Sequence, residues 1–303
     1  MRWRALAFLS PWLLGVAIFL IYPLVATIWF SFTYYDQFNP PVWVGLRNWV
    51  YVFTEYPPFW QALGNTLWFV VIMVALRVVF GLGLGLLVTK VKRGASILRT
   101  VFYLPYLAPP VVATIGFVFL LNPATGPVDQ ILGSLGLPEP NWFGDPSLAK
   151  PSLTLLAIWG VGDLMLIFMA ALLDVPTSLY EAAELDGAGA WQRFRFITLP
   201  TIRPVILFAV ITGVIATAQY YTQALIAGAM ASGILPGSGS SFEPGYPDGS
   251  TLTVPQLVYS LGFQHFNTGA ACVMALVLFA VSMGLTGFLL RPKAGLVDAG
   301  RTS

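Results

Sequence analysis

Few of the 303 residues could do chemistry, and those few fall in two places. The first is inside long apolar stretches. Arg77 lies halfway along one such stretch and Asp163 halfway along another. A charge left alone in an apolar medium is expensive, so both side chains must face the protein interior. They could form a structural ion pair that ties the two stretches together, or they could line a path for a polar solute. Trp159 stands one helical turn before Asp163 and would share its face. Thr212, Ala216, Gln219 and Gln223 recur at i, i+4, i+7 and i+11, with Tyr220 and Tyr221 beside them. Amides that donate and accept next to aromatic faces suit a neutral polyhydroxylated solute. The same stripe would serve ordinary interhelical hydrogen bonding equally well.

The second place is the polar segment 178–204. Ser178 with Glu181 three residues later is the signature of a capping box. A short helix from Leu179 to about Asp186 should follow, ended by Gly187 or Gly189 in the left-handed conformation. A second short helix, Ala190 to Ile197, should end near Leu199-Pro200. The pair would make an elbow between two greasy segments.

What is missing narrows the function. The chain has no Gly-x-x-x-x-Gly-Lys-Ser/Thr loop for ATP, no nucleophile–His–carboxylate set and no dense carboxylate cluster. A single histidine, His265, and a single cysteine, Cys272, leave no basis for a metal site, an internal disulfide or a resident cofactor. His265, between Phe263 and Phe266, reads as interfacial, and Cys272 as a small packing residue. Neither enzyme catalysis nor nucleic-acid binding is expected of this chain.

The elements that must position these residues follow from composition. The chain is 57% hydrophobic and 9% charged, with mean hydropathy +0.78. Soluble domains carry about 25% charged residues, so the natural solvent here is the lipid bilayer. Six stretches, about 5–32, 66–89, 99–122, 152–173, 204–229 and 268–290, are long enough to cross as helices. The expected fold is an all-α integral membrane protein with six transmembrane helices. The first stretch mimics a signal peptide but is too long for one and reads as a retained helix. Pro23 and Pro105 should kink the first and third spans. With six spans, Arg2, Arg4, Lys90, Lys92, Arg93, Arg99, Arg193, Arg195, Arg203, Arg291, Lys293 and Arg301 share one side, twelve of the fifteen basic residues. That side should be the cytosol, which puts both termini and the elbow there.

Three divisions result: a first helix with an outer aromatic cap, 1–64; a transmembrane domain, 65–291, carrying the elbow 178–200; and a cytosolic tail, 292–303. Aromatic residues crowd the first outer loop. Val128, Ile131, Leu132 and Leu135 suggest a short interfacial helix between 127 and 137. The Gly-, Ser- and Pro-rich segment 232–253 reads as a flexible loop. Gly81, Gly83 and Gly85 suit close helix packing better than phosphate binding.

The elbow resembles a known family. Glu181-Ala182-Ala183, then Asp186-Gly187-Ala188, then Ile197-x-Leu199-Pro200 is similar to the EAA motif of membrane subunits of binding-protein-dependent ABC importers. Ile21-Tyr22-Pro23, Val44-Gly45-Leu46-Arg47-Asn48-Trp49 and Asn65-Thr66 resemble the first permease of sugar importers of the maltose and glycerol-3-phosphate group. Two departures stand out: a Gly/Ser-rich loop from near Ala231 replaces the usual Thr-x-Gly-Gly-Pro, and Asp163 occupies a commonly uncharged position. The resemblance implies a coupling helix, with Glu181, Ala182, Ala183, Asp186 and Gly187 meeting a cytosolic ATPase subunit. Trp191, Phe194 and Phe196 would brace the second short helix against the bundle. It further implies a second permease as heterodimer partner, two ATP-binding cassette subunits, an extracytoplasmic solute-binding protein and a location in a bacterial-type inner membrane. The solute would be a sugar or polyol, with Arg77, Trp159, Asp163, Gln219, Tyr220 and Gln223 on its path. The competing expectation is a self-sufficient ion- or proton-coupled carrier that uses Arg77 and Asp163 as a relay.

Overall fold

A backbone in an apolar medium must satisfy its own hydrogen bonds, and the computed structural model is accordingly built almost wholly of helices. It describes residues 2–123, 125–234 and 243–290, with side chains from Phe8 onward. The helices are α1 (Phe8–Ser31), α2 (Arg47–Val50), α3 (Pro58–Lys90), α4 (Ala95–Leu107), α5 (Pro110–Leu120), α6 (Pro127–Ser134), α7 (Pro146–Trp159), α8 (Gly162–Leu173), α9 (Thr177–Leu185), α10 (Ala190–Thr201), α11 (Arg203–Ala218), α12 (Thr222–Ser232), α13 (Val254–Tyr259) and α14 (Thr268–Leu290). Two two-residue strands, β1 (Thr33–Tyr34) and β2 (Val42–Trp43), pair antiparallel, so the chain is not purely helical.

Three helices, α1, α3 and α14, are individually long and apolar enough to cross a membrane. The number rises to as many as six when each bent pair is taken as one span. The expected third and fourth stretches are both broken: α4 and α5 meet at 99°, and α7 and α8 at 49°. Pro109 and Pro110 have no N–H to donate to the carbonyls of Pro105 and Tyr106, which places the first break past Pro105 rather than on it. Pro23 is absorbed differently. A π-turn over Ala17–Ile21, closed by the Tyr22 N–H on the Ala17 carbonyl, carries α1 past it.

The chain divides into two compact units. The first contains the residues up to Leu63 with Leu252–Val281. Its core gathers Val52, Phe59 and Ala62 with Leu257, Leu261, Val273 and Met274. The β-ribbon is fixed by Asn48, buried, whose Nδ2 donates to the Ser31 and Thr33 carbonyls at 3.0 and 2.8 Å. Aromatic pairs such as Phe32–Trp43 and Phe53–Phe59 fill out the expected cap. His265 folds back on its own turn, with Nδ1 3.1 Å from the Ser260 carbonyl oxygen. None of the most apolar window of α1 is buried within the chain, which leaves that helix to face lipid or another subunit.

The second unit contains Gly64–Thr251 with the residues from Ser282. Its frame is α3 against α8. A Cβ on Gly81 would stand 2.7 Å from the Leu164 Cβ, and one on Gly85 would stand 3.2 Å from the Met169 nitrogen. These two glycines bring the helices together as expected, whereas Gly83 faces open space. Helix α6 forms where the interfacial helix was expected and leaves Ile131 and Leu135 exposed. Its buried Asp129 accepts from Trp142 Nε1 at 2.8 Å. Asp145 caps α7 by accepting from the Ser147 amide and hydroxyl, both at 2.7 Å, and these donors hold its carboxyl below the usual carboxylate value. Of the expected flexible loop 232–253, residues 235–242 lie outside the described residues, as does the tail 292–303.

Candidate functional site

Arg77 on α3 and Asp163 on α8 do meet. One guanidinium nitrogen, Nη2, donates to both carboxylate oxygens at 3.1 and 3.2 Å. Both side chains are largely but not fully enclosed, at 21% and 24% exposure. Arg77 Nε is buried and has no hydrogen-bond partner among the described residues.

The pair stands between two cavities of the second unit. The larger, about 230 Å³, is lined by Arg77, Trp159, Thr217, Tyr220 and Gln223 together with Tyr106, Ala108, Pro110 and Gly160. The smaller, about 130 Å³, is lined by Arg77 and Asp163 with Val74, Thr212, Gly213 and Ala216. Arg77 and Ala216 belong to both walls.

The larger cavity lies where three helix breaks converge. Ala108 and Pro110 flank the α4–α5 break, Gly160 sits in the α7–α8 break, and Tyr220 sits in the break between α11 and α12. Irregular backbone within apolar stretches is tolerated where it is enclosed by protein or lines a wet cavity, and all three breaks obey that rule here.

Two expectations change as a consequence. The stripe Thr212–Ala216–Gln219–Gln223 does not run along one helix, because α11 ends at Ala218 and Tyr221 is non-helical. Gln219 is exposed and lines neither cavity, while Thr212 and Gln223 line different ones. Trp159 and Asp163 likewise do not share a helical face, since the chain turns at Gly160 between them. They are related instead through Arg77, which touches both spaces. Tyr106 and Thr217 escaped notice in the sequence. The Ala108-Pro109-Pro110 run and the Gly160-x-Gly162 spacing were the signals for the breaks that expose them.

The elbow also folds, with a different cap. Helix α9 starts at Thr177 behind Pro176, so Ser178 lies inside the helix and no side-chain cap forms. The expected capping box is absent because Pro176 takes the cap position. The C-terminal end follows the expectation. Gly187 has φ +77°, the Ala188 N–H donates to the Ala183 carbonyl at 2.8 Å, and the Gly187 N–H donates to the Glu184 carbonyl at 3.1 Å. That double bond pattern is a Schellman motif. Gln192 Oε1 accepts from the Gly189 N–H at 2.8 Å and starts α10.

Two side-chain contacts, neither foreseen, fold α9 onto α10. Tyr180 Oη meets Thr198 Oγ1 at 2.8 Å, and Arg193 donates to Glu184 at 3.2 Å. Trp191 packs on Phe194, yet Trp191 and Phe196 are each 69% exposed, so these two do not brace α10 within this chain. Leu185, at the tip, is 91% exposed. The elbow is therefore internally braced and carries an uncovered apolar crown.

The sequence matches, over residues 77–294, the family described as binding-protein-dependent transport system inner membrane component. The chain belongs to that family. It is 34% identical, over 94% of its length and 88% of the relative's, to the probable ABC transporter permease protein YesP of Bacillus subtilis. It is 30% identical to the lactose transport system permease protein LacF of Rhizobium radiobacter, over 93% of this chain and 91% of the relative. Among solved structures, a chain of a bacterial ABC transporter that imports the acidic polysaccharide alginate superposes with a TM-score of 0.74. That superposition covers 95% of this chain and 93% of the other at 23% identity, a likeness of fold. The chain is thus an integral membrane permease component, and a self-sufficient carrier built on an Arg77–Asp163 relay is not favoured.

Proposed function

We propose that this chain forms half of the translocation pathway of an ATP-driven importer for a sugar or related polyol. The observation that carries the solute reading is the convergence of three helix breaks on the cavity of Arg77, Trp159, Tyr220 and Gln223. Amide, hydroxyl, guanidinium and aromatic groups line one cavity there, which is what a polyhydroxylated solute requires. The names of relatives that transport lactose and trehalose/maltose support the same solute class.

On this reading the chain crosses the inner membrane six times, with α4–α5, α7–α8 and α11–α12 each making one broken crossing, and both termini lie in the cytosol with the elbow. The clustering of basic residues on that side supports the orientation. The elbow is the coupling joint: Glu181, Ala182, Ala183, Asp186 and Gly187 meet one of two separate ATPase subunits, and the exposed Leu185 supports an unfilled docking surface. A second permease and an extracytoplasmic solute-binding protein complete the complex. Closure of the ATPase pair would rock the helices and switch the cavity between the two sides.

The test is reconstitution of the whole complex in proteoliposomes. Sugar uptake is expected to require ATP and loaded binding protein, and to be uncoupled from hydrolysis by joint replacement of Glu181 and Gly187. Uptake driven by an ion gradient without ATPase subunits would overturn the importer reading. A fully retained response of ATPase activity to loaded binding protein in the elbow variant would overturn the coupling.

A further inference from the structure

Arg77 and Asp163 are not the sole contact between α3 and α8 at this point. Gly81 and Gly85, one and two turns further along α3, already bring that helix onto Leu164, Phe168 and Met169 of α8. The ion pair therefore adds to a helix contact that the two glycines already make. Its placement is also asymmetric. Asp163 lines only the smaller cavity, whereas Arg77 lines both. Among the described residues that line the larger cavity, Arg77 is the one charge. Arg77 reaches Asp163 through Nη2, so one nitrogen serves both oxygens of that carboxylate. A guanidinium presents its donors as a planar fork that matches a carboxylate.

We infer that the solute carried through this cavity bears a carboxylate, and that Arg77 is the residue that selects it. The inference rests on the reading of the cavity as the solute site of a sugar importer, and it narrows the class to acidic sugars such as uronates. The carboxylate would accept from Arg77 on the side opposite Asp163, while Trp159, Tyr220 and Gln223 meet the ring and its hydroxyls. Asp163 then holds the guanidinium in place when the cavity is empty and balances its charge.

The experiment measures binding to the reconstituted importer complex in lipid nanodiscs without the solute-binding protein, so that the permease sets the preference. The probes are D-galacturonate against D-galactose and D-glucuronate against D-glucose, each pair differing only at C6. At least one uronate is expected to bind roughly ten- to a hundredfold tighter than its neutral partner. R77Q should collapse that ratio toward one, and R77K should retain part of it. R77Q/D163N replaces the pair with two amides and leaves no single charge buried, so it carries the test if R77Q is not recovered in the membrane. Equal or tighter binding of both neutral sugars to the wild-type complex would overturn the inference, as would an unchanged ratio in the double variant. ATP-driven uptake by the complete complex separates the two failures. Uptake of neutral sugars with no uronate preference sinks only the acidic-solute inference. If no saccharide of either kind is taken up, the sugar-importer reading fails and takes this inference with it.

Discussion

Gly162 opens α8 one residue before Asp163, and its missing side chain lets α4 approach. A Cβ at this position would lie 2.7 Å from the Tyr103 Cα and closer still to the Phe102 carbonyl oxygen. Ordinary contact begins near 3.4 Å, so α4 would have to withdraw by about 0.7 Å or more. Both obstacles are backbone atoms, and no rotamer change can relieve them. Overpacking of this kind costs about 1–3 kcal/mol. Gly83→Ala is the matched control, because a Cβ there meets nothing within 4 Å. Within α3 it removes a conformational-entropy penalty of about 0.5–1 kcal/mol. The two substitutions add the same methyl group and should move stability in opposite directions. The assay is thermal unfolding of each variant in lipid nanodiscs. For units of this size about 2–4 °C accompanies each kcal/mol, so Gly162→Ala should melt about 2–12 °C below wild type and Gly83→Ala at or above it. Equal midpoints for the two variants would refute the argument that backbone contact at Gly162 sets the position of α8.

At the elbow, Gly187→Val should cost about 1–2 kcal/mol of local stability, because φ +77° disfavours a β-branched residue. Hydrogen exchange across 177–201 would register it, and unchanged protection there would refute the Schellman stop. Trp142→Phe removes the donor to buried Asp129 and should destabilise by about 1–3 kcal/mol, read by thermal unfolding. A variant as stable as wild type would show that Asp129 finds another partner. Asp145 has a carboxyl held below its ordinary value by Ser147, so its contribution is present above the unfolded value and lost as pH falls through the lower folded one. The wild-type melting midpoint should therefore drop more steeply than that of Asp145→Asn below about pH 4. Parallel curves would show that the cap does not titrate with folding.

Hydropathy located the long spans because it sums over many residues. The expected 268–290 became α14, Thr268–Leu290, almost without adjustment. The same summation hid the breaks, since Ala108-Pro109-Pro110 and Gly160-Val161 are as apolar as the helices they interrupt. The turn at Gln219–Tyr221 carries neither proline nor glycine, so local propensity gave no warning of it. Charge was more legible than shape. Arg77 and Asp163 could be paired from depth alone, but their division between two cavities depends on the breaks. In the elbow the helix-terminating glycine, Gly187, was plain. The Tyr180–Thr198 contact was not, because its partners are eighteen residues apart and on different helices.

The breaks give the proposed coupling a specific route. Helix α11 leaves the elbow at a 65° bend after Thr201 and runs 16 residues, about 24 Å, to the break at Gln219–Tyr221 beside the larger cavity. It is held close to α3 partway along, where a Cβ on Gly213 would meet the Val74 Cγ1 at 3.0 Å, one turn from Arg77. A stiff helix pivoting at such a contact converts a displacement at the elbow into an opposite one at the cavity end. The brace of Tyr180 on Thr198 and of Glu184 on Arg193 would let the elbow transmit a push rather than absorb it. A continuous α11–α12 helix would carry that motion past the cavity to its far end. The break instead would let α12 stay packed against α5 while α11 shifts. On the proposed coupling, the irregular turn at 219–221 would confine the movement to the cavity wall, next to the guanidinium that we infer reads the solute.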